Sequence, residues 1–282
     1  MTAITDRYVA LAERIAAGLG SPRVRALHLP PKSAACDKDA EFCALELDDG
    51  SIGFSYVRIG AVEALLRGRH ETSAFAGMEA VALARGYSCA DPGVRALAFA
   101  AINALSQQLF SRANWPPPAA ENSFGGIAPL SGEHIGMIGL FPPLVAQMRK
   151  SRARLTVLEL RAELAGARED YRVTLDPVEL GSCDKVLSTC TVMLNDTLDS
   201  VLSSCRKARH IAIIGPSAGC VPDPLFAYGV DSIGGRRVTD VEGFRDAFCS
   251  GNKWGDYAYK YSIAREDYPG VDRLLQQLST RH

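Results

Sequence analysis

The sequence predicts a chain in two parts: an antiparallel sheet with helices (α+β), followed by a parallel α/β sheet. Three observations predict it. Apolar runs flank an Asp-Gly turn early in the chain, the pattern of an antiparallel meander. Trp115-Pro116-Pro117-Pro118 then interrupts the middle, and proline is excluded from helix interiors and central strands. Beyond it, short apolar runs alternate with helical stretches, as in sheets whose strands are buried on both faces. At 282 residues the chain is long enough for two ordinary domains. The expected division is 1–120 and 121–282, with a Gly-, Ser-, Asn- and Pro-rich stretch at 121–131.

The opening MTAITDRYVALAERIAAGLG reads as an amphipathic helix. Asp6, Arg7, Glu13 and Arg14 interrupt it, which argues against a signal h-region or a membrane span and makes the cytoplasm the expected location. Residues 23–29 alternate weakly. Residues 42–47 and 52–59 form two strands about Asp48-Asp49-Gly50. Helices are predicted over 61–66 and 73–84. The next helix is better marked, with Asp91 as N-cap, Pro92 in the first position and a run to Phe110. Inside it Asn103 stands among apolar neighbours. A buried amide left unpaired costs ~1–3 kcal/mol, so Asn103 bonds either nearby backbone or a site at the domain junction.

In the second part the predicted strands are 134–140, 155–160, 185–190, 210–214 and 231–238. Helices are predicted over 143–150, 195–207 and 241–249, with a helical turn at 224–228. Right-handed crossovers are expected, in the strand order 3-2-1-4-5, with 2-1-3-4-5 as the alternative. The aromatic stretch from Trp254 to Tyr261 is read as covering a sheet edge or a subunit contact, or else walling a pocket.

Composition narrows the partners. Hydrophobic residues make up 47% of the chain, charged residues 22%, and the net charge is −1. This balance leaves no nucleic-acid footprint and no polybasic membrane patch. The expected partner is a small molecule, and the expected assembly a homodimer, the commonest oligomer. Eight cysteines stand at 36, 43, 89, 183, 190, 205, 220 and 249, without a CxxC pair. Free, packed thiols are therefore expected rather than a structural zinc site.

Ligands of open parallel sheets sit beyond the carboxyl ends of the strands. Gly215-Pro216-Ser217 ends the fourth predicted strand there. Glycine permits close backbone approach, proline stiffens the exit, and Ser217 offers a hydroxyl. Pro222 and Pro224 then open a helix expected to point back at the same space. Asn195 is a natural N-cap with Thr197 in its first turn. Glu159 lies where dinucleotide folds carry a ribose-binding acid. The first turn, Gly136-Met137-Ile138-Gly139-Leu140-Phe141, departs from the G-x-G-x-x-G fingerprint, so NAD(P) is not expected. No Walker lysine follows a glycine loop. Ser217 has no histidine to activate it, because His134 and His210 begin strands at the opposite edge. Cys190 and Cys220 both lie at the carboxyl edge. With strands ~4.8 Å apart, the first order separates them by about 14 Å, whereas the alternative makes their strands neighbours and a shared metal accessible.

Five stretches together resemble a known family. They are Asp49-Gly50-Ser51-Ile52-Gly53-Phe54-Ser55, Ala101-Ile102-Asn103-Ala104, Ile135 to Pro143, Asn195-Asp196-Thr197-Leu198 and Gly215-Pro216-Ser217-Ala218. The chain resembles, from about residue 7 to 275, the heavy-metal-chelation family, long carried as a domain of unknown function. The resemblance implies an N-terminal part similar to the N-terminal domain of enolases, a Rossmann-like C-terminal part, and a ligand site between them. The matching positions are Asn103, Glu159, Asn195, Thr197, Gly215, Pro216 and Ser217. The family supplies no agreed catalytic set, and it does not promote Cys220. The first functional reading is binding of a metal ion, or of a small metal-chelating molecule, at the interdomain cleft. The alternative is a transferase-like biosynthetic enzyme acting on a small anionic metabolite, with Glu159 as base if burial raises its pKa. A third reading is an assembly protein whose apolar cleft holds a peptide.

Overall fold

A computed structural model describes residues 3–31, 41–69, 72–122 and 124–279; Cys36 lies outside them. Helix α1 (Ile4–Leu19) ends at Gly20, where φ is +77° and the N–H reaches back to the carbonyls of Ala16 and Ala17. Strands β1 (Val24–His28), β2 (Phe42–Leu47) and β3 (Ile52–Tyr56) form an antiparallel sheet in that order. The turn between β2 and β3 is the expected one: Gly50 has φ +86°, and Asp49 accepts from the N–H and hydroxyl of Ser51. Helices α2 (Val62–Arg69), α3 (Ala80–Ala84) and α4 (Pro92–Arg112) follow. The helix expected over 73–84 is broken. Gly77, at φ +79°, turns its N–H to the carbonyl of Val24 and separates a 3-10 turn, Thr72–Phe75, from α3. Asp91 caps α4, accepting from Gly93 and Val94 at 2.9 and 3.0 Å.

The second half runs β4 (His134–Ile138), α5 (Pro142–Arg149), β5 (Arg154–Leu158), β6 (Gly166–Ala167), β7 (Tyr171–Thr174) and β8 (Lys185–Thr189). It continues with α6 (Leu198–Ser204), β9 (Ile211–Ile214), α7 (Asp223–Ala227), β10 (Ser232–Val238), α8 (Val241–Cys249), β11 (Ala258–Ala264) and α9 (Val271–Ser279). The sheet order is β11-β10-β9-β8-β4-β5-β7-β6. The six inner strands are parallel, and β6 and β11 are antiparallel edges.

This corrects the expected strand order. The five strands read from sequence stand as 2-1-3-4-5, because β7, which that reading missed, takes the place beyond β5. With β7 counted, the six parallel strands follow 3-2-1-4-5-6, the dinucleotide-fold order. The helix expected over 195–207 shortens to α6 and starts at Leu198, so Asn195 is not its cap. The aromatic tail becomes β11, paired along β10.

The two sheets share their packing. One core joins Tyr8 and Ile15 of α1, Leu45 of β2 and Leu105 of α4 to Val186, Ile213 and Ile233 of the large sheet and Leu274 of α9. A second cluster lies under α5. In a third, α8 covers the outer face of the small sheet: Phe42, Ile52 and Phe54 meet Phe244, Phe248 and Trp254, with Phe54 stacked on Trp254 at 4.8 Å. The small sheet is thus held between α4, from its own half, and α8, from the other. Beneath α8 lies the carboxylate of Glu46, with no solvent exposure. It accepts from Arg245 at 2.5 and 2.9 Å, lies 2.9 Å from His28 Nε2, and pairs with Arg25 at 3.3 Å. Such a buried charge requires several partners. Among the described residues no helix is long and apolar enough to cross a membrane.

Candidate ligand site at the carboxyl edge

The chain order of the sheet reverses between β4 and β8, and ligands of open parallel sheets bind beyond such a switch point. At the end of β4, Gly139 has φ +81°, and a side chain there would start 3.1 Å from Thr189 at the end of β8. The turn leads into α5, where Pro142 and Pro143 have no N–H to offer an anion. Glu159, just past β5, organises this turn. Its carboxylate accepts from the N–H of Leu140 at 2.9 Å and of Leu160 at 3.1 Å, and it pairs with Arg161 at 3.4 Å. Burial pushes its pKa up, but the Leu140 N–H, Arg161 and the Leu160 N–H outweigh burial and hold it below the usual carboxylate range. The rise expected for a general base does not occur.

Tyr56, the last residue of β3, comes from the other half of the chain, and its ring packs edge-on against Phe42. Burial raises its phenol, and the charges of Glu41, Arg161, Arg58 and Glu159 make smaller contributions. Sequence reading missed Tyr56 and Arg161. The only available signal was their position at the ends of strands from different halves.

The loop after β9 is closed rather than open. Gly215 has φ +144°, a conformation that favours glycine. Ser217 is buried, and its carbonyl accepts from Asn103 Nδ2 at 2.8 Å; the same amide reaches the carbonyl of Phe54 at 2.7 Å. Three further carbonyls have dedicated donors: Ala218 from Tyr261, Gly219 from Gln107 and Val221 from Tyr8. The N–H of Val221 donates to Ser106 at 3.0 Å. Asn103 therefore fastens the loop to α4 and β3 instead of facing a cleft. Asp223, at the start of α7, accepts from Tyr268 and Val271 of the C-terminal segment.

Asn195 and Thr197 contact each other, the Thr197 hydroxyl donating to Asn195 Oδ1 at 2.6 Å. Their segment is tied to the first half by Arg95–Asp196 at 2.6 Å and by Tyr87, which donates to the Met193 carbonyl at 2.7 Å. The structure thus brings together Asn103 with Ser217, Asn195 with Thr197, and Glu159 with the β4 turn.

Cys190 and Cys220 come from loops after neighbouring strands, β8 and β9. Both are buried. Burial, and then Cys220, push the Cys190 thiol up, while burial raises Cys220 to about 11. Cys220 Sγ donates to the Tyr8 hydroxyl at 3.2 Å. Neutral thiols are poor metal ligands, since the thiolate is the ligating form. Among the described residues no three His, Cys, Asp or Glu side chains converge as a metal site.

The chain has relatives in sequence and in structure. An uncharacterized protein of Methanocaldococcus jannaschii is 30% identical over 155 residues, 52% of this chain and 56% of that protein, so the chain spans little more than half the length of this curated relative. A solved protein of unknown function from Pyrococcus horikoshii superimposes with TM-score 0.68 at 19% identity, covering 93% of this chain and 100% of that one. Another, from Desulfitobacterium hafniense, gives 0.65 at 19% identity, covering 92% and 98%. Two family models match, over residues 40–106 and 127–266, and both are described as "Putative heavy-metal chelation". The first takes in the β2–β3 hairpin and most of α4, the second every strand of the large sheet, and on these two matches the chain belongs to the family so described.

Proposed function

We propose that the chain binds a small, oxygen-rich chelating molecule, alone or as its metal complex, between the turns after β4 and β5 and the end of β3. One observation carries this reading. Glu159 holds both the Leu140 backbone and Arg161 at the switch point, and the charges of Glu159 and Arg161 reach the phenol of Tyr56, from the other half of the chain. The family description supplies the link to metal chelation. The donor set favours a metal held mainly by its organic ligand, since the oxygen donors at these turns suit hard cations and, among the described residues, no three ligating side chains converge. A cytoplasmic place and a homodimeric assembly belong to the same proposal.

The test is native mass spectrometry with metal analysis on chain purified without chelator. The expected result is an organic mass, with or without metal, that is retained by Cys220→Ser and lost from Glu159→Gln and Tyr56→Phe. A metal without organic ligand, kept by Glu159→Gln and lost from Cys220→Ser, would overturn the proposal in favour of thiol chelation.

A further inference from the structure

Strands β5 and β7 are parallel neighbours, yet residues 159–170 between them contain only a 3-10 turn, Ala162–Leu164, and the two-residue β6. Parallel pairs are usually joined by a helix, which also covers one face of the sheet. Without it, part of one face toward the amino ends of β4, β5 and β7 is open, at the edge opposite the Glu159 turn. The residues in register there are polar. His134 pairs with Arg154 and Thr156 with Arg172, so all four project to the same side. With Arg168 and Glu179 they line a groove of about 490 Å³.

The charges in this groove are unequally neutralised. Arg172 pairs with Glu179 at 3.0 Å, and Asp170 pairs with Arg149 at 2.8 Å. Arg168 donates only to the carbonyls of Ala167 and Leu164. Arg154 donates to Nδ1 of His134 at 2.8 Å. Among the described residues, neither Arg154 nor Arg168 forms an ion pair with a carboxylate. Asp184 is the acid beside them, but it accepts from the His134 N–H at 2.8 Å and turns its other oxygen to Arg209.

His134 explains why Arg154 is held without being neutralised. A guanidinium can only donate, so Nδ1 is the acceptor and the proton sits on Nε2, which donates to Thr156 Oγ1 at 2.8 Å. Burial, and then Arg154, hold the imidazole pKa below its usual value, which keeps that tautomer neutral. Nδ1 also accepts from Ser182 at 3.1 Å. One arginine is thereby oriented by a neutral, buried side chain, and a second lies across the groove with its charge free. Guanidinium groups match phosphate and carboxylate in planar, two-point contacts.

We propose that this groove is a second binding site, for a small molecule bearing a phosphate or carboxylate group, which Arg154 and Arg168 clamp. Isothermal titration calorimetry of the full chain at low ionic strength, with inorganic phosphate and with the non-chelating monocarboxylate acetate as probes, tests it. At least one probe should bind saturably, and whichever does so assigns the group. The double variant Arg154→Gln/Arg168→Gln should weaken binding at least tenfold, and Arg168→Gln alone at least threefold. Arg161→Gln, at the carboxyl edge, should leave the affinity unchanged, which separates this groove from the site of the proposed function. Absence of saturable binding by both probes, an unchanged affinity in the variants, or an equal loss in Arg161→Gln would overturn the proposal.

Discussion

Asn103 gives both N–H donors of one buried amide to carbonyls from different halves of the chain, Phe54 and Ser217. Its Oδ1 meets no donor among the described residues. Replacing it with leucine keeps the volume roughly constant but strands two buried carbonyls. Asn103→Leu should therefore lower stability by about 2–4 kcal/mol, read as a shift of the urea midpoint; a change below about 0.5 kcal/mol would show that the amide does not fasten the loop. The oddity of this residue was visible in sequence, as a lone amide in an apolar run. Its partner was not, because 114 residues separate Asn103 from Ser217. Glu159 is a similar case. Its place at a strand end was legible, but its lowered pKa owes most to an N–H 19 residues away.

At the scale of elements, β3 lies so close on α4 that Gly53 has no room for a side chain. A Cβ there would stand 2.2 Å from the carbonyl oxygen of Ala100 and from the nitrogen of Ala104. Both obstacles are helix backbone and neither can rotate away. Gly53→Ala should thus cost about 3 kcal/mol or more, measured by thermal unfolding with the β-sheet signal followed; an unshifted midpoint would mean that the strand can lift off the helix freely. Elements with long apolar runs, such as β4 and β9, could be read from sequence. Strand β7 could not, because Tyr171-Arg172-Val173-Thr174 is short and turns polar side chains to the open groove. That omission alone displaced the strand order. Strand β11 was hidden for a related reason: as an edge strand it alternates buried Tyr261 and Ile263 with exposed or half-buried neighbours, and its aromatic content drew the reading toward a tail.

At the scale of the whole molecule, Glu46 ties the small sheet to α8 of the other half. Burial works against its charge, but His28 and Arg245 outweigh burial and hold the carboxyl at about 2, below the ordinary value of 4.5. A carboxyl lowered on folding stabilises the protein above its unfolded-state pKa, and that contribution fades as pH falls through the folded-state value. It amounts to about 3 kcal/mol. Between about pH 5 and pH 2, wild type should lose about that much more stability than Glu46→Gln, in urea unfolding at each pH; parallel losses would refute the assignment. The covering of the small sheet by α8 has another consequence, in the order of synthesis. The sheet leaves the ribosome early, but Arg245 follows Glu46 by 199 residues, about 10–40 s of translation at ~5–20 residues per second. Through that interval Phe42, Ile52 and Phe54 have no cover and Glu46 lacks its arginine. The nascent first half is then an aggregation-prone intermediate, and any product that stops before α8 keeps that exposed face permanently.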